Sequence, residues 1–483
     1  MVFAEVDVRR LHRQRSPKQC GSSDDDAIPY LRELGIEIIN NPRPMQFTSN
    51  INEYIHRWAP YVQGFSASFV QAVLQEYRAD YGSNLVVMDP FAGCGTVLVQ
   101  AKLNKLRSIG TELNPLLWFI ADTKLNSWDV SPDYFLEIYN SLPQDKYCPA
   151  PSFLKSESHF SRGVLRNLER IKGGIEAIEE TTQAQRKVKD LLRIAFSAIL
   201  IDVSNLTRSP CLGYSKAKVV EDDAPIAFFD NKVREIAHDL TLIHMRYADC
   251  IHVESKVIHA DAKKYEHTDR FDLIITSPPY MNGLDYVMNY KIEMGWLGFA
   301  NTHRDLKQIK DLMVVCDNVS KGLIKQFRQS SSVYTNLWIE KIKEDIAHSI
   351  QRRGTYRRQD MPYIVHKYFD DMYRVMERVI TTLNPGGRFI LVVGDSLIAD
   401  VYVPTDLLIA RIGVDLGLEI EKIEKARTRR SGQIRSYKLR ESIITLKKKG
   451  GDVKAKLQYI QPRLLRESTE WEWDCQYEDD WSS

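Results

Sequence analysis

One short stretch constrains the fold of this 483-residue chain more than any other. The apolar run Leu85-Val86-Val87-Met88 ends in Asp89-Pro90-Phe91-Ala92-Gly93-Cys94-Gly95-Thr96, and a helix-compatible stretch follows from Val97 to Leu106. Strand, glycine turn and helix in that order form the opening unit of a doubly wound α/β domain. Gly93 and Gly95 lack the Cβ that would hold a ligand away from the backbone. The loop has neither the G-x-G-x-x-G of a dinucleotide site nor the G-x-x-x-x-G-K-[ST] of a nucleoside triphosphatase. With no lysine after Gly95, a triphosphate is poorly served. A cationic or zwitterionic nucleoside fits better, its positive end near Asp89.

A second apolar run, Phe271-Asp272-Leu273-Ile274-Ile275, ends in Thr276-Ser277-Pro278-Pro279-Tyr280. Two prolines cannot extend a strand ladder, so the chain leaves the sheet there in a fixed conformation. The resulting corner presents a hydroxyl, carbonyls without competing N–H groups, and an aromatic face. That set suits a planar base with an exocyclic amine. Taken alone, the string reads sooner as an ordinary proline-rich turn.

Between these runs, Arg107 to Asn114 forms a second strand ending in Glu112, and Lys256 to Ala262 a third ending in Asp261. A carboxylate at the tip of the second strand can accept both hydroxyls of a ribose. Asp261 lies where an adenine amino group could be read. His259 is expected as a core or loop histidine, and Cys94 as a buried thiol without chemistry.

Together these residues resemble the ordered motifs of the amino-methylating DNA methyltransferases, which use S-adenosylmethionine. The resemblance covers most of residues 45–130 and 255–450. It implies a Rossmann-like class I methyltransferase fold, an α/β architecture with a mixed, mostly parallel sheet and helical insertions. It implies cofactor contacts at Tyr61, Asp89, Phe91, Gly93, Gly95, Thr96, Glu112, Asn114 and Asp261, and catalysis at Ser277, Pro278, Pro279 and Tyr280. Tyr61 belongs to the segment Tyr54 to Ser66, which loosely resembles the family's closing segment over the methionine carboxylate. Ser277 at the first conserved catalytic position resembles the cytosine-N4 branch; the adenine-N6 branch more often has Asp or Asn there. Leu383 to Asp395 and Glu441 to Lys447 look like later sheet strands of such a domain.

The core is expected in three pieces, 46–130, 251–300 and 365–450. An arm (1–45), a helical insertion (131–250), a second helical and basic insertion (301–364) and an acidic, aromatic tail (451–483) surround it. Leu165 to Glu180 and Thr182 to Ile201 carry apolar residues at helical spacing. Ser204 to Pro210 is expected as a loop. Arg208 within it is either a phosphate or pocket contact or an ordinary salt-bridged arginine.

The formal net charge of +2, from 66 basic and 64 acidic residues, excludes any argument for nucleic acid from total charge. Local patches must carry it. Arg352, Arg353, Arg357 and Arg358 flank Tyr356, and Arg429 and Arg430 belong to a second cluster with Arg427 and Arg435. Either cluster is a phosphate contact or a solvated surface. Arg9 to Arg15 form a further basic group in the arm. Seven scattered cysteines fit reduced thiols in a cytoplasmic protein, without paired metal spacing. No membrane segment and no metal are expected. The expected partners are DNA and a cognate restriction endonuclease. An adenine-N6 DNA methyltransferase, an RNA guanine-N2 methyltransferase and a non-catalytic relic of the fold are the competing readings.

Overall fold

The computed structural model describes residues 21–450 apart from 46, 60, 62–63, 209–210, 282–284, 317, 432–433 and 435. The C-terminal tail and the Arg9–Arg15 cluster lie outside the described residues. Among the described residues there are twelve strands: β1 (Ile38–Asn40), β2 (Val87–Asp89), β3 (Ser108–Glu112), β4 (Leu206–Arg208), β5 (Leu212–Tyr214), β6 (Ser255–His259), β7 (Phe271–Thr276), β8 (Leu383–Gly394), β9 (Ser396–Ile398), β10 (Val401–Val403), β11 (Leu418–Arg430) and β12 (Lys438–Lys448). Eight of them form one sheet in the order β1-β11-β12-β8-β7-β2-β3-β6. β6, β3, β2, β7 and β8 run parallel, and β12 is antiparallel to both β8 and β11. Five parallel strands closed by an antiparallel hairpin make the Rossmann-like methyltransferase fold.

The strand sequences explain the layering. Successive residues of a strand face opposite sides of a sheet. Val87, Leu273 and Ile275 pack with the helix Ala67–Tyr81 on one face. Met88 and Ile274 pack with the helix Met361–Thr382 on the other. With both faces covered, β2 and β3 are buried at every position, as parallel strands require. The chain order turns back between β2 and β7. The crevice beyond the carboxyl ends of these two strands is therefore the place for a ligand.

The helical insertion shares a core with one face of the sheet domain: Phe135 and Phe196 of the insertion belong to the same buried cluster as Leu98, Leu116, Trp128 and Trp296. Its helices include Arg162–Glu176, Gln183–Ile199 and the 23-residue Ala224–Arg246. Three differences from the sequence expectations stand out. Within the expected 204–210 loop, Leu206–Arg208 form the first arm of an antiparallel hairpin, in which Leu206 pairs with Tyr214. Residues 21–45 are built into the body rather than forming an arm: β1 extends the sheet alongside β11, covering its edge. Three residues are too few to show a strand period. The helix Met361–Thr382 begins before the expected boundary at 365, with Pro362 in its first turn. Among the described residues, no helix is long and apolar enough to cross a membrane, and no group of His, Cys, Asp and Glu is placed to hold a metal ion.

Candidate functional site

The glycine loop after β2 and the proline corner after β7 meet at adjacent strand ends. Thr276 Oγ1 donates to Asp89 Oδ1 at 2.6 Å, tying one tip to the other. Both residues are buried, Thr276 completely. A cleft of about 790 Å³ opens beside this tie, and its walls include Tyr61, Asp89, Phe91, Gly93, Thr96, Glu112, Asp261, Ser277 and Pro279. Residues from five separate stretches of sequence thus line one cavity.

Acids dominate one wall. Asp89 Oδ1 also accepts the Phe91 N–H at 3.0 Å. Glu112 Oε2 accepts from the Gly93 N–H at 2.8 Å, and its Oε1 from the Asn114 N–H at 2.7 Å. Burial pushes both carboxyls up to about 7, against the opposing pull of these hydrogen bonds. Asp261 Oδ1 accepts the Lys263 N–H at 3.0 Å, whereas its buried Oδ2 has no partner. An unpaired buried acceptor on a residue that lines the cavity fits a ligand donor such as an amine.

Gly93 has φ +53°, and a Cβ placed there would stand 3.5 Å from Cε1 of Tyr61. Tyr61 therefore forms a lid over the loop. Gly95 differs from expectation. At φ +85° its missing side chain makes room for Ala121, 3.1 Å from a hypothetical Cβ. It serves the packing of helix Thr96–Leu103 on helix Pro115–Asn126 and is not among the lining residues. Asn114 caps the latter helix, its Oδ1 accepting from Leu116 N–H at 3.0 Å. Its link to the cleft runs through Glu112. A pocket with these features fits S-adenosylmethionine: a close backbone approach at Gly93, a carboxylate at the tip of β3, and the acceptor Asp261.

The other wall is formed by Ser277, Pro279 and Tyr286, and an aromatic and cationic cluster adjoins it outside the lining. Ser277 Oγ donates to the Val392 carbonyl at 3.3 Å. Its lone pairs are then left for an incoming donor. Tyr280 is half-buried and stands just behind the cleft, its phenol donating to Glu441 Oε1 at 2.8 Å. Arg427 also pairs with Glu441. The Arg429 guanidinium lies 5.7 Å from the Tyr280 ring centre and donates to the Asp395 carbonyl. Gly394 makes this crowding possible, because a Cβ there would stand 3.0 Å from Tyr280 Cε2 and 2.7 Å from Arg429 Nη2. Pro278 is buried in the corner between Ser277 and Pro279.

The remaining arginines divide. Arg352, Arg357 and Arg430 are exposed. Arg353 pairs with Asp400, and Arg358 makes a two-point pair with Asp360 at 2.8 and 2.6 Å. Arg208 is turned inward, its side chain 11% exposed and paired with Glu293 at 2.6 Å. In this structure it faces the protein and not a phosphate surface. Thr276, Tyr286 and Glu441 carry no site role in the sequence reading, and Arg427 enters it only as part of a basic cluster. Thr276 stands beside a motif that does carry one; Glu441 is 161 residues from Tyr280, and no local signal joins them.

No protein-family model matches the chain. Several curated relatives align over most of its length. The Type II methyltransferase M.BsoBI of Geobacillus stearothermophilus is 23% identical over 462 residues, covering 84% of this chain and 88% of that protein. The Type II methyltransferase M.AvaI of Nostoc sp. is 24% identical, covering 78% and 82%. The Type II methyltransferase M.MvaI of Kocuria varians is 21% identical, covering 79% and 86%. Among solved structures, TrmN from Thermus thermophilus superimposes with a TM-score of 0.25 at 11% identity, over 79% of this chain and 48% of its own, a likeness too slight to argue from.

Proposed function

We propose that this chain is a site-specific DNA methyltransferase that methylates the exocyclic amine of an extruded base, cytosine N4 in preference to adenine N6. The observation that carries the reading is the shared cleft. The Thr276–Asp89 bond of 2.6 Å fixes the glycine loop and the serine-proline corner side by side. The similarity to three Type II methyltransferases, over 78–84% of this chain, supports the same reaction class, and a cognate restriction endonuclease is part of the proposal.

S-adenosylmethionine, when bound, supplies an electrophilic methyl group on a sulfonium centre. Glu112 would hold its ribose hydroxyls, Asp261 its adenine amine, and Tyr61 with Gly93 its methionine end. The protein's own residues act on the acceptor. Extrusion removes the base from its stack at a cost of a few kcal/mol. Packing against Tyr280 offsets about 1–3 kcal/mol of that. A cytosine amino group is a poor nucleophile, because its lone pair is delocalised into the ring. Ser277 Oγ and the Pro278 carbonyl accept its two hydrogens and favour a more tetrahedral nitrogen. Because Ser277 already donates to Val392, its oxygen suits a donor such as an amine. Serine is no strong base, so the proton leaves after transfer. Alignment and preorganised dipoles supply the rate, with no covalent enzyme intermediate.

The test is methyl transfer from tritiated S-adenosylmethionine to duplex DNA and, in parallel, to tRNA, followed by nucleoside mass spectrometry. The expected product is N4-methylcytosine in the duplex. N6-methyladenine would move the chain to the other branch, and label confined to tRNA would refute the DNA assignment.

A further inference from the structure

We propose that the helical insertion 131–250 is part of the cofactor site, with Asp239 and Arg208 as positioning residues that hold Tyr61 over Gly93. The inference rests on the reading of this cleft as an S-adenosylmethionine site.

Asp239 lies on the helix Ala224–Arg246 and is wholly buried. Every bond it makes to the segment ahead of Tyr61 is accepted from a donor of that segment. Its Oδ2 accepts from Ile55 N–H at 3.0 Å, Trp58 Nε1 at 3.0 Å and Arg57 Nε at 3.2 Å, and its Oδ1 from Arg57 Nη2. Ile55 has φ +66°. A β-branched residue in that region is strained, and such a conformation persists only where the surroundings over-determine it. Asp239 is the group that binds its N–H. Lys124 adds bonds to the carbonyls of His56 at 3.1 Å and Ala59 at 3.2 Å, and Lys232 one to that of Arg57 at 3.1 Å. The backbone leading to Tyr61 is thus gripped from the insertion and from the helix Pro115–Asn126.

Arg208 supports Tyr61 from the other side. On β4 of the insertion, it donates to the Asn289 carbonyl at 3.1 and 2.8 Å and to Glu293 Oε1 at 2.6 Å. Its guanidinium carbon sits 4.1 Å from the centre of the Tyr290 ring. Tyr290 packs on Tyr61 with centroids 5.4 Å apart, and Tyr61 covers Gly93. Arginine, aromatic ring, tilted aromatic ring and glycine loop form one continuous run of contacts. The same arginine braces residues 286–293, which follow the catalytic corner and include the cleft residue Tyr286.

The experiment measures S-adenosylhomocysteine affinity by calorimetry, and affinity for a mixed-sequence duplex as a function of salt, for wild type, Asp239→Asn and Arg208→Lys. Both variants should weaken S-adenosylhomocysteine by roughly tenfold or more, with the salt dependence of duplex binding unchanged. A phosphate contact at Arg208 would do the reverse, lowering the salt slope by about 1 and sparing the cofactor; that result overturns the inference. So does a uniform loss of both affinities, which marks a merely structural role. If Asp239→Asn does not fold, Tyr290→Leu takes its place, with the same expectation. Wild type that binds S-adenosylhomocysteine while the variants bind it equally well overturns this inference alone. Wild type that binds none overturns the cofactor reading and the inference with it.

Discussion

The two walls of the cleft are built on opposite principles. The wall from β2, β3 and β6 carries Asp89, Glu112 and Asp261, three buried or half-buried acids held mostly by backbone N–H groups. On the opposite side Ser277 and Pro279 line the cleft, and next to them, outside its lining, Tyr280, Arg427 and Arg429 gather around Glu441, held by side chains from remote strands. An acidic wall suits a ligand with cationic and hydroxyl groups. An aromatic and cationic cluster beside the Ser277–Pro279 wall suits a base that arrives attached to phosphates. The difference teaches that one wall is set by local loop geometry and the other by long-range pairing, and substitutions should separate them.

The largest expected effect is on the acidic wall. Gly93→Leu places a side chain against Tyr61 at a backbone φ of +53°, and calorimetry should find no S-adenosylhomocysteine binding. Unchanged affinity would break the comparison outright. Next is the opposite wall. Tyr280→Ala should lower turnover by about a hundredfold, the scale of a misplaced reacting group, while cofactor affinity stays within error. Tyr280→Phe, which loses only the bond to Glu441, should cost less. Loss of cofactor binding in the alanine variant would mean that the walls are not independent.

A pH titration sharpens the contrast. Asp89 and Glu112 titrate near 7 through burial, so cofactor affinity should rise between pH 6 and pH 8 as they ionise. Stability of the ligand-free protein should run the other way. A carboxyl with a raised pKa in the folded state binds its proton more tightly there. Its contribution therefore falls as pH rises from about 4 through 7. Affinity flat across that range would show that the acids do not contact the cofactor. The smallest effect belongs to the exposed arginines. Arg352→Ala with Arg357→Ala should lower the salt slope of duplex binding by up to about 2 and leave cofactor binding alone.

Much of the acidic wall is legible in the sequence. Strand-terminal motifs are contiguous, so Asp89, Gly93, Glu112 and Asp261 could be placed by register alone. The aromatic cluster is less so. Tyr280 is visible in its motif, but Glu441 reaches it only because β12 runs antiparallel beside β8. Arg208 shows the same limit. A basic residue in a polar loop carries no mark of burial, and only the hairpin and Tyr290 reveal its orientation. Gly95 is correctly a required glycine, yet for packing against Ala121 rather than for ligand approach. The short strand β1 has no pattern of its own and exists because β11 offers it an edge.

The most direct measurement is the structure of the protein bound to S-adenosylhomocysteine. The account predicts the nucleoside between Glu112 and Asp261, with the sulfur facing Ser277 across the cleft. Density elsewhere, such as in the cavity lined by Tyr139, Arg170 and Phe229 in the helical insertion, would contradict it.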